Sequence, residues 1–504
     1  MVVPSTVAAA RAPSRQDVFF DRRMYVVDVQ GWPADQVYPP EPLKKPVVAP
    51  ERARLRLWET HPHDTRHLPP PAAMGVLLDT GRFSLVNSGN RTLWAPKRSW
   101  KVDLDPGDDE IAGMSCLNLK SMYNDPSQMR EALAWRMFRQ AAVPAPRHTY
   151  ARFGINGNYR GLFSLIEQID RPFLKEHFGR DSRGNLFKVY CGQIGPGTLA
   201  HRVGRDGDDD GRQYRTAGED PTYRLKSYSR SPGADSYDDL AQFVRTINGL
   251  GVAGGDDRFD SDAFAASVRE MFAVDGFLRW AGLNVLIGAW DNYFATPANY
   301  YLYNSGTAGA KDVMSEPYFT FIPWDYDNTF GIDYVGTAWQ YTDLLDWPSN
   351  TEAYWRRNGN GGTSRLPLVQ NLLRHREFRR YYLDHIEHLL DAVFNPAAVG
   401  AVLGADGESG LWGRASRSAY LESDTPYGAP FTGRQFTNDE VFRNGFAQYE
   451  LRHGSEFALG IHHYVLMRYD SARARLAELR RDDPSGSSGA TFPASPDPLP
   501  GRRG

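Results

Sequence analysis

The sequence predicts an α+β protein whose strands crowd its first third and whose helices fill most of the remainder. Three observations carry this. Short runs of alternating, aromatic or β-branched residues mark strands at 24–29, 54–60, 74–86, 99–104, 150–154 and 159–166. Helical periodicity dominates later, at 238–248, 262–288, 366–373, 377–394 and 446–479. Between the two regimes, residues 192–236 are rich in glycine and charge. The expected organisation is a disordered start at 1–16, a strand-rich region at 17–191, a charged, glycine-rich linker or insertion at 192–236, a helix-rich region at 237–482 and a disordered tail at 483–504.

Composition narrows the function classes. With 41% hydrophobic and 24% charged residues the chain reads as an ordinary globular protein with ample material for a core. A net charge of −3 gives no electrostatic case for nucleic acid. Two cysteines, Cys116 and Cys191, provide neither a disulfide framework nor a zinc pattern. The opening residues lack the apolar core of a secretory signal, and no run of about 18 apolar residues predicts a membrane span. The resulting expectation is a cytoplasmic protein with no membrane partner.

Each element has its own signal. Residues 33–50 are Pro-rich and extended, and the alternation in Arg-Leu-Arg-Leu-Trp-Glu-Thr at 54–60 suits an edge strand. His61, His63 and His67 fall in a loop that reads as solvated. A helix is expected over 126–141, with Asp125 as N-cap, Pro126 in the first turn, Gln128 completing a capping pair and Pro144 beyond the end. Asn156-Gly157 marks a tight hairpin between 150–154 and 159–166. Asp206, Asp208 and Asp210 are spaced like the opening of a calcium loop, but the twelfth position is Ala217 instead of Glu, so the segment reads as solvated. His385 and His388 are expected at a helix surface, while Trp339, Trp347 and Trp355 either line a groove or fill the interior.

The chemistry concentrates between 274 and 331. Phe277, Trp280, Ala281, Asn284, Val285 and Gly288 recur at helical spacing, and a helix ending near Gly288 delivers Trp290-Asp291-Asn292 into a loop. Asn299-Tyr-Tyr-Leu-Tyr-Asn304 and Tyr318-Phe-Thr-Phe-Ile322 read as strands, and Trp324-Asp325-Tyr326-Asp327 follows Pro323. Asp291, Asn299 and the Asp-x-Asp pair thus leave the ends of adjacent elements. Hard oxygen donors so placed suit Mg²⁺, which is commonly held by one or two carboxylates and substrate phosphates. The same set could supply a carboxylate for an acceptor hydroxyl proton and an Asn and Asp for metal in phosphoryl transfer.

Trp-Asp-Asn-Tyr at 290–293, Asn-Tyr-Tyr-Leu-Tyr at 299–303 and Phe-Ile-Pro-Trp-Asp-Tyr-Asp at 321–327 resemble the spore-coat protein H (CotH) kinase family. The likeness spans about 18–480 and is strongest at 117–190 and 272–331. It implies a two-lobed, protein-kinase-like fold with a strand-rich small lobe at 17–191 and a helix-rich large lobe at 237–482. It also implies an atypical kinase that transfers the γ-phosphoryl of ATP to Ser or Thr of a protein with Mg²⁺ or Mn²⁺. By this resemblance Asp291 is the catalytic carboxylate, and Asn299, Asp325 and Asp327 hold metal. Lys101 reaches the nucleotide phosphates from the strand after a glycine loop that includes Gly89, Asn90 and Arg91, with Lys97 earlier. Arg130, in Asp125-x-Ser127-x-x-Arg130, holds phosphate or forms a structural ion pair. Glu167 lies at the lobe junction near the adenine, and Lys188, in Asn185-Leu-Phe-Lys188, lies near the nucleotide. Asp291 and Asn299 are eight residues apart with no His-Arg before the Asp, unlike the usual protein-kinase loop. The resemblance equally admits a non-catalytic coat scaffold or surface adhesin, a kinase for a small molecule or glycan, and spore or surface association.

Overall fold

A computed structural model describes residues 23–37, 41–64, 66–71, 75–89, 93, 97–105, 114–122, 125, 127–179, 183–216, 218, 220–333, 336–346, 366–404, 410–420, 450–453, 456–482 and 492. The expected disordered segment at 1–16, Asn90 and Arg91 of the glycine loop, Trp347 and Trp355 lie outside these residues, as does the tail apart from Phe492. The protein is α+β. Chain contacts divide it into two units, one of residues 1–123, 147–168 and 417–428, the other of 124–146, 169–416 and 429–504.

The first unit is built on nine strands: β1 Met24–Gln30, β2 Val47–Val48, β3 Arg54–Thr60, β4 Val76–Thr80, β5 Phe83–Ser88, β6 Ser99–Leu104, β7 Cys116–Lys120, β8 His148–Ile155 and β9 Asn158–Ile166. They form one sheet in the order β2-β5-β6-β7-β9-β8-β1-β3-β4. β1 runs parallel to β8, and the other neighbours are antiparallel. Alternate residues such as Tyr25, Val27, Leu55, Leu57, Val102, Leu119, Phe153 and Leu165 share a buried cluster, as period-two side chains on one face must. β3 is not an edge strand, because β4 pairs with it on the side away from β1. Its alternation arises instead from one solvated face, where Arg54 and Arg56 both reach Asp79 while Leu55 and Leu57 are buried. In the β8–β9 turn Asn156 and Gly157 have φ of 51° and 75°, the left-handed pair that a tight hairpin requires.

The second unit holds helices Arg130–Gln140, Asp238–Ile247, Asp262–Met271, Val274–Leu286, Arg376–Ala392 and Ile461–Asp482 around a four-stranded antiparallel sheet. Its strands are β10 Asn185–Val189, β11 Tyr223–Ser227, β12 Tyr300–Asn304 and β13 Phe319–Pro323, in the order β11-β10-β12-β13. Residues 192–236, expected as a linker, therefore contribute an edge strand, and Leu199, Tyr214 and Tyr223 within them are buried. One sheet face packs on helix Val274–Leu286: the Phe321 ring lies 5.4 Å from Phe277 and 4.3 Å from Trp280. Phe319 stacks on Phe243 at 4.7 Å. A small sheet of β14 Ile332–Asp333, β15 Glu450–His453 and β16 Glu456–Leu459 completes the unit.

Three local expectations change. Within the helix expected at 446–479, residues 450–453 and 456–459 are instead the paired strands β15 and β16, and helix Ile461–Asp482 follows, because residues 456–459 gain sheet partners that periodicity does not reveal. The helix expected from 126 starts at Arg130, since the Asp125 carboxylate accepts from Ser127 and Arg130 and closes a turn there. His385 is buried in helix Arg376–Ala392. Gly282 on the facing helix explains its position: a Cβ there would stand 3.3 Å from Ile386 and 3.4 Å from His385, so the absent side chain permits the close crossing.

Burial, reinforced by the positive charge of Arg279 and by His388, pushes His385 down to about 3. The unfolded chain takes up that proton near pH 6.5, whereas the folded ring stays neutral. Stability should therefore fall as pH drops from about 6.5 towards 3, with a slope approaching 1.4 kcal/mol per pH unit from this residue. His385→Leu should flatten that slope in urea midpoints measured against pH; an unaltered slope would show that the ring is not held neutral.

Candidate functional site

One end of the four-stranded sheet collects the polar residues of the central stretch. Val189 of β10 pairs with Tyr300 of β12, which pairs with Pro323 of β13, so the three strands end in register. The Asn299 amide N–H donates to the Val189 carbonyl at 3.1 Å, and the Trp324 N–H donates to the Asn299 carbonyl at 3.2 Å. Asn299 and Asp325, flanking these strand ends, both have left-handed backbone, with φ of 53° and 65°. Such conformations are costly for most side chains and recur where a backbone aims functional groups.

Asp291 joins this cluster from the loop after helix Val274–Leu286. One carboxylate oxygen accepts from Thr296 Oγ1 at 2.6 Å, the other from Asn328 Nδ2 at 2.9 Å. Asn299 Nδ2 donates to the Asp291 carbonyl at 2.9 Å, which leaves the amide oxygen for other contacts. Asp325 is half-buried and Asp327 is 9% exposed. The set Asn299, Asp325 and Asp327 is all oxygen, with two carboxylates, and so fits Mg²⁺ or Mn²⁺ better than a soft ion. Among the described residues no group of three or more His, Cys, Asp or Glu side chains could hold a metal. A cation here would therefore draw further ligands from substrate or water.

A buried polar knot sets the two acidic loops against each other. Tyr326, between Asp325 and Asp327, accepts from Trp280 Nε1 at 2.6 Å and donates to Asn284 Oδ1 at 3.0 Å. Asn292, beside Asp291, donates to the same Asn284 oxygen at 3.0 Å. Helix Arg130–Gln140 closes the other side. Its Trp135 and Phe138 rings lie 5.1 and 4.6 Å from the Tyr326 ring, and Glu131 Oε1 accepts from the Tyr326 N–H at 3.4 Å. Sequence reasoning overlooked Asn284, Asn328, Thr296 and Tyr326. The available signal for Asn284 was a polar residue on the apolar stripe of a helix.

Lys188 is half-buried among aromatic rings, its ammonium 4.9 Å from Tyr190, 5.6 Å from Tyr301 and 5.4 Å from Trp324. Burial alone would lower its pKa, but the phenol oxygens of Tyr301 and Tyr190 and the Asp325 carboxylate outweigh that and raise it. Lys188 therefore stays charged. Arg130 is 1% exposed and pairs with Asp125 at 2.6 Å, while its other nitrogens reach the carbonyls of Thr329 and Leu459. Of the two roles expected for Arg130, this geometry matches the structural ion pair: the guanidinium supports the loop after Asp327 and lies inside the unit. Lys101 and Glu167 belong to the first unit. There Lys101 pairs with Asp103 at 2.6 Å, and the buried Glu167 accepts from Arg147 Nη1 at 3.2 Å. Lys97 donates to the Leu162 carbonyl at 2.6 Å. Trp339 is buried against Trp290, with stacked rings 6.4 Å apart, and so fills the interior.

Tyr326→Phe should cost about 1–3 kcal/mol in urea unfolding, because Trp280 Nε1 loses its acceptor and Asn284 Oδ1 one of its donors inside the protein. The exposed Tyr341→Phe should stay within about 0.5 kcal/mol of the parent. Equal small losses would show that the Tyr326 hydroxyl is not holding the loop.

Comparison with known proteins places the chain in a family. The family model described as CotH kinase protein matches residues 87–403, more than half of the 504-residue chain. Inner spore coat protein H of Bacillus subtilis is 24% identical over 359 residues, covering 68% of this chain and 83% of that protein. Two Rhizopus delemar proteins, invasin CotH2 and invasin CotH3, are each 23% identical over 307 and 302 residues. Those matches cover 59% of this chain but only 45% and 44% of the invasins. On the extent of the family match, the chain belongs to the CotH kinase family.

Proposed function

We propose that the protein is an ATP-dependent phosphotransferase with a two-lobed, kinase-like fold, acting on a Ser or Thr hydroxyl of a protein. The observation that carries this is the Asp291 carboxylate, fixed through both oxygens beside Asn299 and the Asp325–Asp327 loop at one strand end. In this reading the acceptor oxygen attacks the γ-phosphorus, the bond from that phosphorus to the β–γ bridging oxygen breaks, and ADP leaves. Asp291 orients the hydroxyl and takes its proton. A bound Mg²⁺ or Mn²⁺ would supply charge neutralisation at the phosphate oxygens. Asn299, Asp325 and Asp327 would hold it, with Lys188 beside Asp325 limiting local negative charge. Lys101 would offset phosphate charge and Glu167 would lie near the base, both as the family resemblance implies. Arg130 acts as a positioning residue through the loop after Asp327.

A second reading has support from the names of the relatives. A coat protein and two invasins suggest a scaffold or adhesin that keeps this packing without turnover. Those names also support spore or surface association for this chain over a cytoplasmic setting. Among the described residues no single helix is long and apolar enough to cross a membrane.

Thermal unfolding with ATP, with Mg²⁺ or Mn²⁺, and with both separates the two readings. A ligand at 100 times its dissociation constant adds about 2.7 kcal/mol, which is readily visible in the midpoint. The kinase reading expects a shift that needs ATP and metal together and is lost in Asp325→Ala. It also expects Asp291→Ala to reduce phosphoryl transfer by at least about a hundredfold while the shift remains. Unchanged turnover in Asp291→Ala would remove its assigned role, and no shift under any combination would favour the scaffold.

A further inference from the structure

The loop from Asp291 to Asn299 is tied to Asn284 through Asn292, and it is also held by residues that read as part of a linker. Gly197, Thr198 and Leu199 run against it. The Gly197 N–H donates to the Pro297 carbonyl at 2.6 Å, and the Gly197 carbonyl accepts from the Tyr300 hydroxyl. The Thr198 carbonyl accepts from the Tyr293 hydroxyl at 3.0 Å. The segment has its own anchors: the Leu199 N–H donates to the Tyr223 hydroxyl at 3.2 Å, and the Leu199 carbonyl accepts from Asn248 Nδ2 at 3.0 Å. Leu199 is buried and left-handed, with φ of 60°, a conformation that persists only where the surroundings over-determine it. Gly197 has no room for a side chain. A Cβ there would stand 2.1 Å from Val189 Cγ1 and 3.2 Å from the Pro297 carbonyl oxygen.

We propose that Gly197, Tyr293 and Tyr300 are positioning residues: the segment Gly197–Leu199 braces the loop and sets the placement of Asp291 and Asn299. The brace rests on these contacts; its service to nucleotide and metal rests on the function proposed above. The two phenols bracket the loop's candidate groups, since Tyr293 is two residues after Asp291 and Tyr300 follows Asn299 directly. The Tyr293 hydroxyl also accepts from the Leu368 N–H at 3.2 Å, so one oxygen joins the brace, the loop and helix Pro367–Leu372. Both tyrosines are fully buried, and burial pushes their phenols well above the ordinary range, so they stay donors at any working pH. The Thr296 and Asn299 bonds to Asp291 are internal to the loop and fix its shape, not its place. Phosphoryl transfer depends chiefly on placement, and small shifts of a reacting group are costly.

The test compares the full chain with a Tyr293→Phe, Tyr300→Phe double variant by hydrogen exchange and by calorimetry of ATP with Mn²⁺. The Ala295, Thr296 and Asn299 amides, each bonded in the parent, should exchange about tenfold faster in the variant. Helix Arg376–Ala392 should keep its parent rate, which checks that folding is intact. ATP with Mn²⁺ should bind about tenfold more weakly. Gly197→Ala should act in the same direction. Adding Val189→Ala, which removes the methyl in its way, should recover part of the affinity while the lost methyls lower the melting midpoint; a merely structural role would make both worse. If the parent binds ATP, then unchanged exchange, faster exchange with unchanged affinity, or weaker affinity without faster exchange would each overturn the brace and leave the nucleotide reading standing. If the parent binds no ATP with Mn²⁺ but the loop loosens in the variant, the brace stands and the nucleotide reading falls. If the parent binds none and loop exchange is unchanged, both fall.

Discussion

Asn284 sits on an otherwise apolar helix, and three segments meet at its side chain. Its Oδ1 accepts from Asn292 and from Tyr326, each at 3.0 Å, and its Nδ2 donates to the Ala289 carbonyl at 3.0 Å. The first contact fixes the loop that carries Asp291, the second fixes the loop that carries Asp325 and Asp327, and the third shapes the turn between helix and loop. Inside a low-dielectric core such a network is favourable only when its members are paired, and it then admits one arrangement. The separation of the acidic groups is thus set by amide and phenol hydrogen bonds below them.

Helix Arg130–Gln140 extends the same constraint. The Arg130–Asp125 pair is almost fully buried, and the guanidinium also reaches the Thr329 carbonyl. Removing one partner of a buried pair is far more costly than losing an exposed one, because the remaining charge is left without compensation. Arg130 therefore belongs with the supports of the loop. Its neighbour Glu131 and the rings of Trp135 and Phe138 act on Tyr326 from the same side. The site consequently depends on residues far apart in the chain, at 125–138, 280–292 and 324–329.

Family membership constrains the packing more than the chemistry. Relatives with different names match much of this chain, and activity resides in particular side chains on a fold. The difference between a kinase and a scaffold therefore comes down to whether the strand-end oxygens bind a nucleotide and metal.

Much of this was legible in the residues. Period-two alternation located β3, β6 and the β8–β9 hairpin, and the Asn156-Gly157 turn was determined by the need for two left-handed positions. The order of Asp291, Asn299, Asp325 and Asp327 was equally readable, since each follows or precedes a clear helix or strand. Local signals failed where pairing partners are distant. β11 looked like a solvated linker because its side chains alternate between charge and tyrosine or leucine beside a glycine-rich run, and only β10 makes it a strand. Residues 456–459 looked helical until β14 and β15 paired with them. His385 seemed exposed because a histidine on an amphipathic helix carries no mark of what packs above it; Gly282 on another helix decided its burial. Sequence by itself determined which groups stand at the element ends, because those signals are local. Tertiary structure decided which of them meet, that Arg130 supports a loop, and that Lys188 faces Arg224, because those outcomes depend on strand register and burial between segments far apart in the chain.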